Sequence, residues 1–476
     1  MMNASTHTGH TAHTGIAPTE LRQLRRTFHG RLLGPQDPGY DEGRRVWNGA
    51  IDRRPALIPY CTDTADVIEA LRFATGQEME VAVRSGGHSF PGQSLSEGGV
   101  VIDLSGMRGL RVNPDTRTAR VQAGVLLGEL DAATQIFGLA VPAGIVTHTG
   151  LAGLTLGGGI GWLMRKYGLT IDQLTAVEMV TAGGEAVRAD ATENAELFWA
   201  VRGGGGNFGI VTEFEFRLNP VGPTVLAGPV VWRMADSARL LRFYRDWISE
   251  APDDLTTAIV HRRAPAVDYV PAELWGAPVV MVVCCWVGPI DQGERFLAPL
   301  RRFGSPVLDL CAPQPFIRFQ AMFDPSFPHG RWYYFKSRDV DVLTDEVIDL
   351  TADRATRFTS PLTAFPIFQR GGALARVGED ETAFSGRSSG HTFNINATCA
   401  TEEGFAQERA WARGFWSDLA PHESGAYVNF LMEEGTERVR AAYGQAKYDR
   451  LAAIKRSVDP DNVFHLNQNI PPAPAG

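Results

Sequence analysis

A histidine set in a glycine turn is the first feature of this chain that can do chemistry. Arg84-Ser85-Gly86-Gly87-His88-Ser89-Phe90 directly follows a short apolar run. Paired glycines let the backbone take positive φ and let a ligand approach main-chain N–H groups. Successive N–H groups in such a turn form an anion nest, for which a pyrophosphate is the natural guest. His88 then projects from the loop at a fixed place; the plainer alternative is a strand-to-turn loop with a surface histidine. From Ala143 to Gly168 the chain carries eight glycines, too many for one helix. A close-packed loop against which a cofactor edge lies suits that composition, and a glycine-rich structural crossover is the alternative. In Arg202–Gly209, the residues Gly204, Gly206 and Gly209 satisfy G-x-G-x-x-G. A dinucleotide fingerprint must follow a strand and open a helix. Here Glu193–Arg202 reads as helix and Ile210–Leu218 as strand, so the context is inverted and an NAD site is not expected.

Other chemistries find less support. No P-loop, H-E-x-x-H or EF-hand pattern occurs. Gly386-Arg387-Ser388-Ser389-Gly390 matches G-x-S-x-G, but a strand-like stretch follows it where a nucleophile elbow needs a helix. His148, His261, His329, His391, His422 and His465 are scattered without metal-ligand spacing, and no metal is expected. The five cysteines are an odd set without CxxC spacing, so neither a disulfide framework nor a zinc site is expected.

The elements that must position these groups follow from periodicity and composition. The chain has 476 residues, 44 % hydrophobic and 21 % charged, with net charge −9. That is a globular balance with a large core, and without a basic run no nucleic-acid partner is expected. The apolar run Val279–Val287 is about half the length of a membrane span, so no membrane partner is expected either. The first seventeen residues, with His7, His10 and His13, read as a polar tail without a secretory h-region, which gives the expectation of a cytoplasmic protein. Helical spacing marks Thr64–Ala74 and Val125–Thr134. Glu80–Val83, Val100–Leu104 and Ala119–Ala123 read as strands, Val177–Arg188 as a hairpin and Ile210–Leu218 as an edge or half-buried strand. Past Pro220 and Pro223 the chain becomes rich in aromatics, mostly core with some lining a pocket. Tyr427–Pro472 reads as a strand, a long helix over Thr436–Val458 and a Pro-Asp-Asn turn.

Taken in order, RSGGHSF (84–90), GLTLGGGIGWLMRKYGLTIDQL (153–174), RGGGGNFGIVTEFEF (202–216), YVNF (427–430), YDRLAAIK (448–455) and DPDNVFHLNQNIPP (459–472) resemble the FAD-linked oxidases of the vanillyl-alcohol-oxidase/p-cresol-methylhydroxylase superfamily, in the berberine-bridge-enzyme-like branch. The resemblance spans about residues 45–472. It implies an α+β fold with two domains, the second an antiparallel sheet backed by helices. The expected organisation is a tail over 1–29, an FAD-binding domain over 30–220, a substrate domain over 221–424 and a segment over 425–476 that returns to the FAD domain. It also implies FAD linked through its 8α-methyl group to His88, with the pyrophosphate on the loop Arg84–Ser89. Cofactor contacts are carried over to Arg84, Ser85, Gly86, Gly87, His88, Ser89, Val146, Thr149, Gly150, Gly153, Leu154, Gly158, Gly159, Gly161, Trp162, Gly206, Gly209, Ile210, Val211, Asn467 and Gln468. Many relatives carry a second link through a cysteine where this chain has Val146, so one link is expected, as in single-link bacterial members of natural-product pathways.

The implied activity is oxidation of a small organic molecule with dioxygen as acceptor and hydrogen peroxide as product. Tyr427 is the candidate base, and alternation on a strand Ala426–Leu431 would aim it at the same face as Asn429. Gln369 and His391 are the next candidates on the substrate side. The alternatives are an oxidase of a sugar, simple alcohol or amine, and a flavoprotein that sequesters a drug or quinone without turnover.

Overall fold

In the computed structural model, which describes residues 16–432 and 434–474, the first half of the chain builds two small sheets and a two-stranded ladder of Leu139–Ala140 with Asn219–Pro220. The strand Val81–Arg84 pairs in parallel with Val100–Asp103 in a four-stranded sheet. The helix Thr64–Gly76 opens where the Asp63 side chain accepts the Asp66 N–H, an ordinary N-cap. It buries Val67, Ala70, Leu71 and Ala74, the face that helical spacing marks. A five-stranded antiparallel sheet runs in the order Leu110–Asn113, Thr118–Gln122, Ile210–Arg217, Leu174–Val180, Ala186–Asp190. Ile210–Arg217 is therefore its central strand and not an edge. Its alternation comes from one face on the core, carried by Phe214 and Phe216.

From Thr224 onward, nine strands form a single antiparallel sheet. Its centre runs Pro278–Trp286, Leu255–Arg263, Ala364–Gln369, His391–Cys399, Trp332–Val340. The helices Ser237–Ile248, Asp345–Ala355 and Phe405–Asp418 bury their apolar stripes on one face of it, against Ile259, Phe365, Ile367, Phe393 and Ile395. The other face turns toward the glycine loops, and the C-terminal helix Gln445–Val458 packs into the core of the first half.

Three local expectations are corrected. The tail read over residues 1–29 contains the helix Pro18–Thr27, whose Leu24 is buried and which packs on Thr64–Gly76; residues 1–15, including the three histidines, lie outside the described residues. The single helix over Thr436–Val458 is two helices, Thr436–Tyr443 and Gln445–Val458, broken at Gly444, where φ is +75°. The expected strand Ala426–Leu431 is instead a single 3-10 turn over Val428–Phe430, just after the short strand Glu423–Gly425. Among the described residues no helix is long and apolar enough to cross a membrane.

Candidate active site

The loops at 85–89, 145–154 and 204–211 and the C-terminal segment near 464–468 meet the open face of the nine-stranded sheet around a cavity of about 340 Å³. Loop meets loop through main chain. A Cβ on Gly86 would run into the backbone of Gly150, and one on Gly150 into Gly86. Gly87 holds φ at +65°, a conformation open to glycine and costly for a β-branched residue. Behind the turn, Arg84 forms a buried ion pair with Asp103, and Ser85 Oγ donates to the Ala123 carbonyl at 2.6 Å.

His88 stands at the rim of this wall. Its ring stacks on Trp47 with centroids 4.6 Å apart, and its Nε2 lies 2.8 Å from Nδ1 of His148. His329 closes the group: ring nitrogens of His88, His148 and His329 all lie within 4.8 Å of one another. Burial holds the His88 imidazole well below its usual pKa, and the neighbouring imidazoles add to this. A neutral His88 has one nitrogen lone pair, which is free for bonding to carbon in the tautomer whose Nε2–H donates to His148. The flank is fixed by Asp324, which accepts the Thr147 N–H at 2.8 Å. Spacing along the chain gave no hint of this cluster, because tertiary folding brings its members together.

The C-terminal segment closes the cofactor side. Asn207 Nδ2 donates to the carbonyls of Gly204 at 2.8 Å and Gln468 at 3.2 Å. The buried Lys455 donates to the Asn207 carbonyl at 2.7 Å and pairs with Asp459 at 2.6 Å. Gln93 Nε2 donates to the Asn467 carbonyl at 2.7 Å. Asn467 and Ser94 line the cavity, and Asn467 Oδ1 and Ser94 Oγ are buried without a partner.

Tyr427 is buried on the same side. Its hydroxyl oxygen accepts the Gly159 N–H at 2.9 Å and Asn429 Nδ2 at 2.8 Å. Burial pushes its pKa up, and the two donors only partly offset this. Tyr427 and Asn429 do meet, through a turn and not through strand alternation.

Most carried-over positions line the cavity: Ser85, Gly86, Gly87, His88, Ser89, Val146, Thr149, Gly150, Gly153, Leu154, Gly206, Gly209, Ile210, Val211, Tyr427, Asn467 and Gln468. Seven others do not. Arg84 is spent on Asp103. Gly158 packs against Phe384 and Tyr427, Gly159 against Thr170, and Gly161 against Ala143. Trp162 is core, on Phe319 and Phe323. Gln369 and His391 pair with each other in register and share the helix-covered face with Ile367 and Phe393. Gln369 Oε1 accepts from Thr257 at 3.1 Å. The cavity side of the same strands carries Pro366, Phe368, Asn394 and Asn396 instead. A step of one residue along a strand changes the face, and sequence alone did not settle which parity faces inward.

These features fit FAD. Gly153 and Gly206 line the cavity, and a Cβ on either would meet no protein atom within 4 Å; the space beside their main chain is open to a ligand. Orphaned acceptors border it, and a neutral imidazole stands at its rim. Among the described residues no Lys or Arg lines the cavity, so a pyrophosphate bound there would rely on main-chain N–H groups.

Fold and site together define a flavin-dependent oxidoreductase, and the comparisons agree. Residues 55–190 match the FAD binding domain family and residues 426–471 the berberine and berberine-like family. The chain is 32 % identical to an uncharacterised FAD-linked oxidoreductase of Bacillus subtilis, YgaK, over 93 % of this chain and 97 % of that protein. It is 30 % identical to (R)-6-hydroxynicotine oxidase of Paenarthrobacter nicotinovorans, over 94 % and 97 %. The crystal structure of 6-hydroxy-D-nicotine oxidase from Arthrobacter nicotinovorans superposes with a TM-score of 0.85 at 31 % identity, covering 94 % of this chain and 98 % of that one. The chain belongs to the FAD-linked oxidoreductases of the berberine-bridge-like branch, with their α+β fold of two domains.

Proposed function

We propose that the chain is an oxidase carrying one FAD covalently on His88, which oxidises a small, flat, largely apolar organic substrate and passes two electrons to dioxygen, releasing hydrogen peroxide. The observation that carries this reading is one continuous cavity with two kinds of wall: open main chain beside His88 on one side, aromatic and amide side chains on the other. The relative named (R)-6-hydroxynicotine oxidase supports a small organic substrate that carries a ring. A division into an FAD-binding part (30–220 with 425–476) and a substrate part (221–424) is supported by the way the sheets separate near Pro220.

FAD supplies a two-electron acceptor when bound. His88, neutral and stacked on Trp47, would hold the flavin through a ring nitrogen, and its Nε2 lies against Nδ1 of His148. The loop N–H groups orient the cofactor. Phe335, Phe368 and Phe430 hold a flat substrate and exclude water. Tyr427 is the candidate base for the substrate proton, aided by the Gly159 N–H and the Asn429 amide, both of which stabilise a phenolate.

The test is purified yellow protein screened anaerobically against small aromatic alcohols and amines. Flavin bleaching that reverses on admitting oxygen, with stoichiometric peroxide, is expected. A second reading, binding without turnover, draws on the fact that among the described residues no carboxylate lines the cavity. Tight binding of many compounds with no bleaching by any would select it.

A further inference from the structure

Three imidazoles from three separate segments converge beside the cavity. His88 stands on the glycine turn, His148 in the loop ahead of the helix Leu151–Leu156, and His329 in the turn that leads into the strand Trp332–Val340. Their ring centroids are 4.8 Å (His88 to His148), 5.0 Å (His148 to His329) and 6.0 Å (His88 to His329) apart, with interplanar angles of 41°, 46° and 86°. The rings therefore point at one another rather than stack. Three imidazoles on one tetrahedral ion, at metal–nitrogen distances of about 2.0–2.1 Å, place their centroids about 5.2 Å apart. The observed triangle brackets that value, and closing it asks only for a swing of His329, the exposed member. The anchors are already in place. The Trp47 N–H donates to the Gly87 carbonyl and the Gly330 N–H to the Trp47 carbonyl, each at 3.0 Å, while the Trp47 ring stacks on His88. One residue thus ties the segments of His88 and His329 together. Asp324 holds the Thr147 N–H beside His148 and adds a negative charge near that ring. Burial keeps all three imidazoles below their usual pKa, so each is neutral at pH 7 and offers one lone pair. Among the described residues the other grouping of this kind, His29 with Asp63 and Asp66, is different: Asp66 is taken up by the N–H groups of His29, Gly30 and Thr62.

We propose that His88, His148 and His329 form a binding site for a divalent transition metal of the zinc type, which staples the turn before Trp332–Val340 to the glycine-loop wall. Imidazole nitrogen suits zinc, cobalt and nickel, whereas magnesium and calcium take oxygen ligands. Three protein ligands leave the fourth position to solvent, on the exposed side of His329. The site goes beyond the oxidase reading and does not depend on it. A flavin linked to Nδ1 of His88 leaves Nε2, the atom 2.8 Å from His148 Nδ1, without a hydrogen and with its lone pair. In a flavin-free chain a shift of tautomer frees the same lone pair. The ion takes the place of the His88–His148 hydrogen bond and draws in the third ring.

The test uses flavin-loaded protein, stripped with a chelator and then dialysed against Zn²⁺ in the presence of excess Mg²⁺. One retained Zn²⁺ per chain and a raised melting temperature are expected, because an ion that binds only the folded chain stabilises it. His148→Ala and His329→Ala should each weaken zinc binding about 100-fold or more, past the 10–100-fold typical of a lost outer partner. His329 is exposed, so its alanine variant keeps the fold and decides the matter should His148→Ala fail to fold. His29→Ala, and alanine at His7, His10 and His13 together, should leave zinc affinity unchanged. No retained zinc, zinc displaced by Mg²⁺, affinity kept in His329→Ala, or affinity lost with the three N-terminal histidines would each overturn the site. Covalently retained flavin is measured in the same samples, so a failure of the oxidase reading is seen separately from a failure of the metal site.

Discussion

The glycine loops and the nine-stranded sheet enclose one cavity with different materials. On the loop side the surface is main chain. Gly86 and Gly150 touch backbone to backbone, and Gly153 and Gly206 leave open space where a Cβ would stand. On the sheet side the surface is side chains, with aromatic rings around two unpaired amides. A backbone surface binds what every member of a family shares, because N–H groups do not change with substitution. A side-chain surface is free to change with the substrate while the strands beneath it keep their pairing. On the function proposed above, the difference teaches where each part would reside: cofactor binding in the loops, substrate choice in the parity of the strands.

The sharpest way to break this comparison is at His88, the one histidine among the described residues that line the cavity. His88→Ala should lose all covalently retained flavin: wild-type protein precipitated with acid stays yellow, and the variant releases its colour to the supernatant. A flavin-bearing peptide that lacks His88 would sink the assignment.

Next in size is Tyr427→Phe, expected to keep its flavin and slow anaerobic flavin reduction by about 10²–10⁴-fold, the usual contribution of a general base. The sign of the pH dependence follows from burial, which raises the Tyr427 pKa above its ordinary value of 10.0. Below that pKa the reactive phenolate fraction grows about tenfold per pH unit, so wild-type reduction should climb through neutral into alkaline pH. In stopped-flow traces the phenylalanine variant should lose that limb. Equal pH profiles for the two proteins would place the base elsewhere.

A smaller effect separates shape from stability on the loop wall. Gly153→Leu sits in the helix Leu151–Leu156 at a position with nothing within 4 Å of a Cβ. The flavin-free variant should melt no lower than wild type, since leucine favours helix over glycine. Its FAD loading should fall about tenfold or more, by overpacking of the ligand space. Gly87→Val should instead lower the melting temperature as well, because φ of +65° strains the new residue. Its Cβ points to Arg84 and Val46 at 3.7 Å, so strain, and not intrusion on the pyrophosphate, is the expected cause.

The smallest effect is on the covered face of the sheet. Gln369→Leu and His391→Phe should change substrate affinity by no more than about twofold, within the range of residues that touch no ligand. Gln369→Leu should cost about 1 kcal/mol of stability through its bond from Thr257. A large change in substrate affinity from either variant would return these two residues to the substrate site.

The legibility of the site follows the same division. The three glycine segments are contiguous in the chain, and their local conformation is written by residues that tolerate it, so Ser85–Ser89 and Gly204–Val211 were readable before folding. Arg84, Trp162 and Gly158–Gly161 sit in the same motifs but serve behind the surface. A motif marks a neighbourhood and does not say which of its side chains touch the ligand. For Ile210–Arg217 the choice between an edge and a half-buried strand stayed open, because strand order depends on partners far away in sequence, here Thr118–Gln122 and Leu174–Val180.

By itself, the sequence determined the class of protein and the absence of a thiol at Val146, because these depend on residue type and on short stretches of backbone. Only the tertiary structure decided which imidazoles meet. His148 and His329 lie 60 and, by subtraction of 88 from 329, 241 residues from His88, and no local period links them. The fold also decided that Asn394 and Asn396 face the cavity while Gln369 and His391 face helices. A strand puts alternate residues on opposite faces whatever they are, and burial of Phe365, Ile367 and Phe393 under the helices fixes which set turns inward.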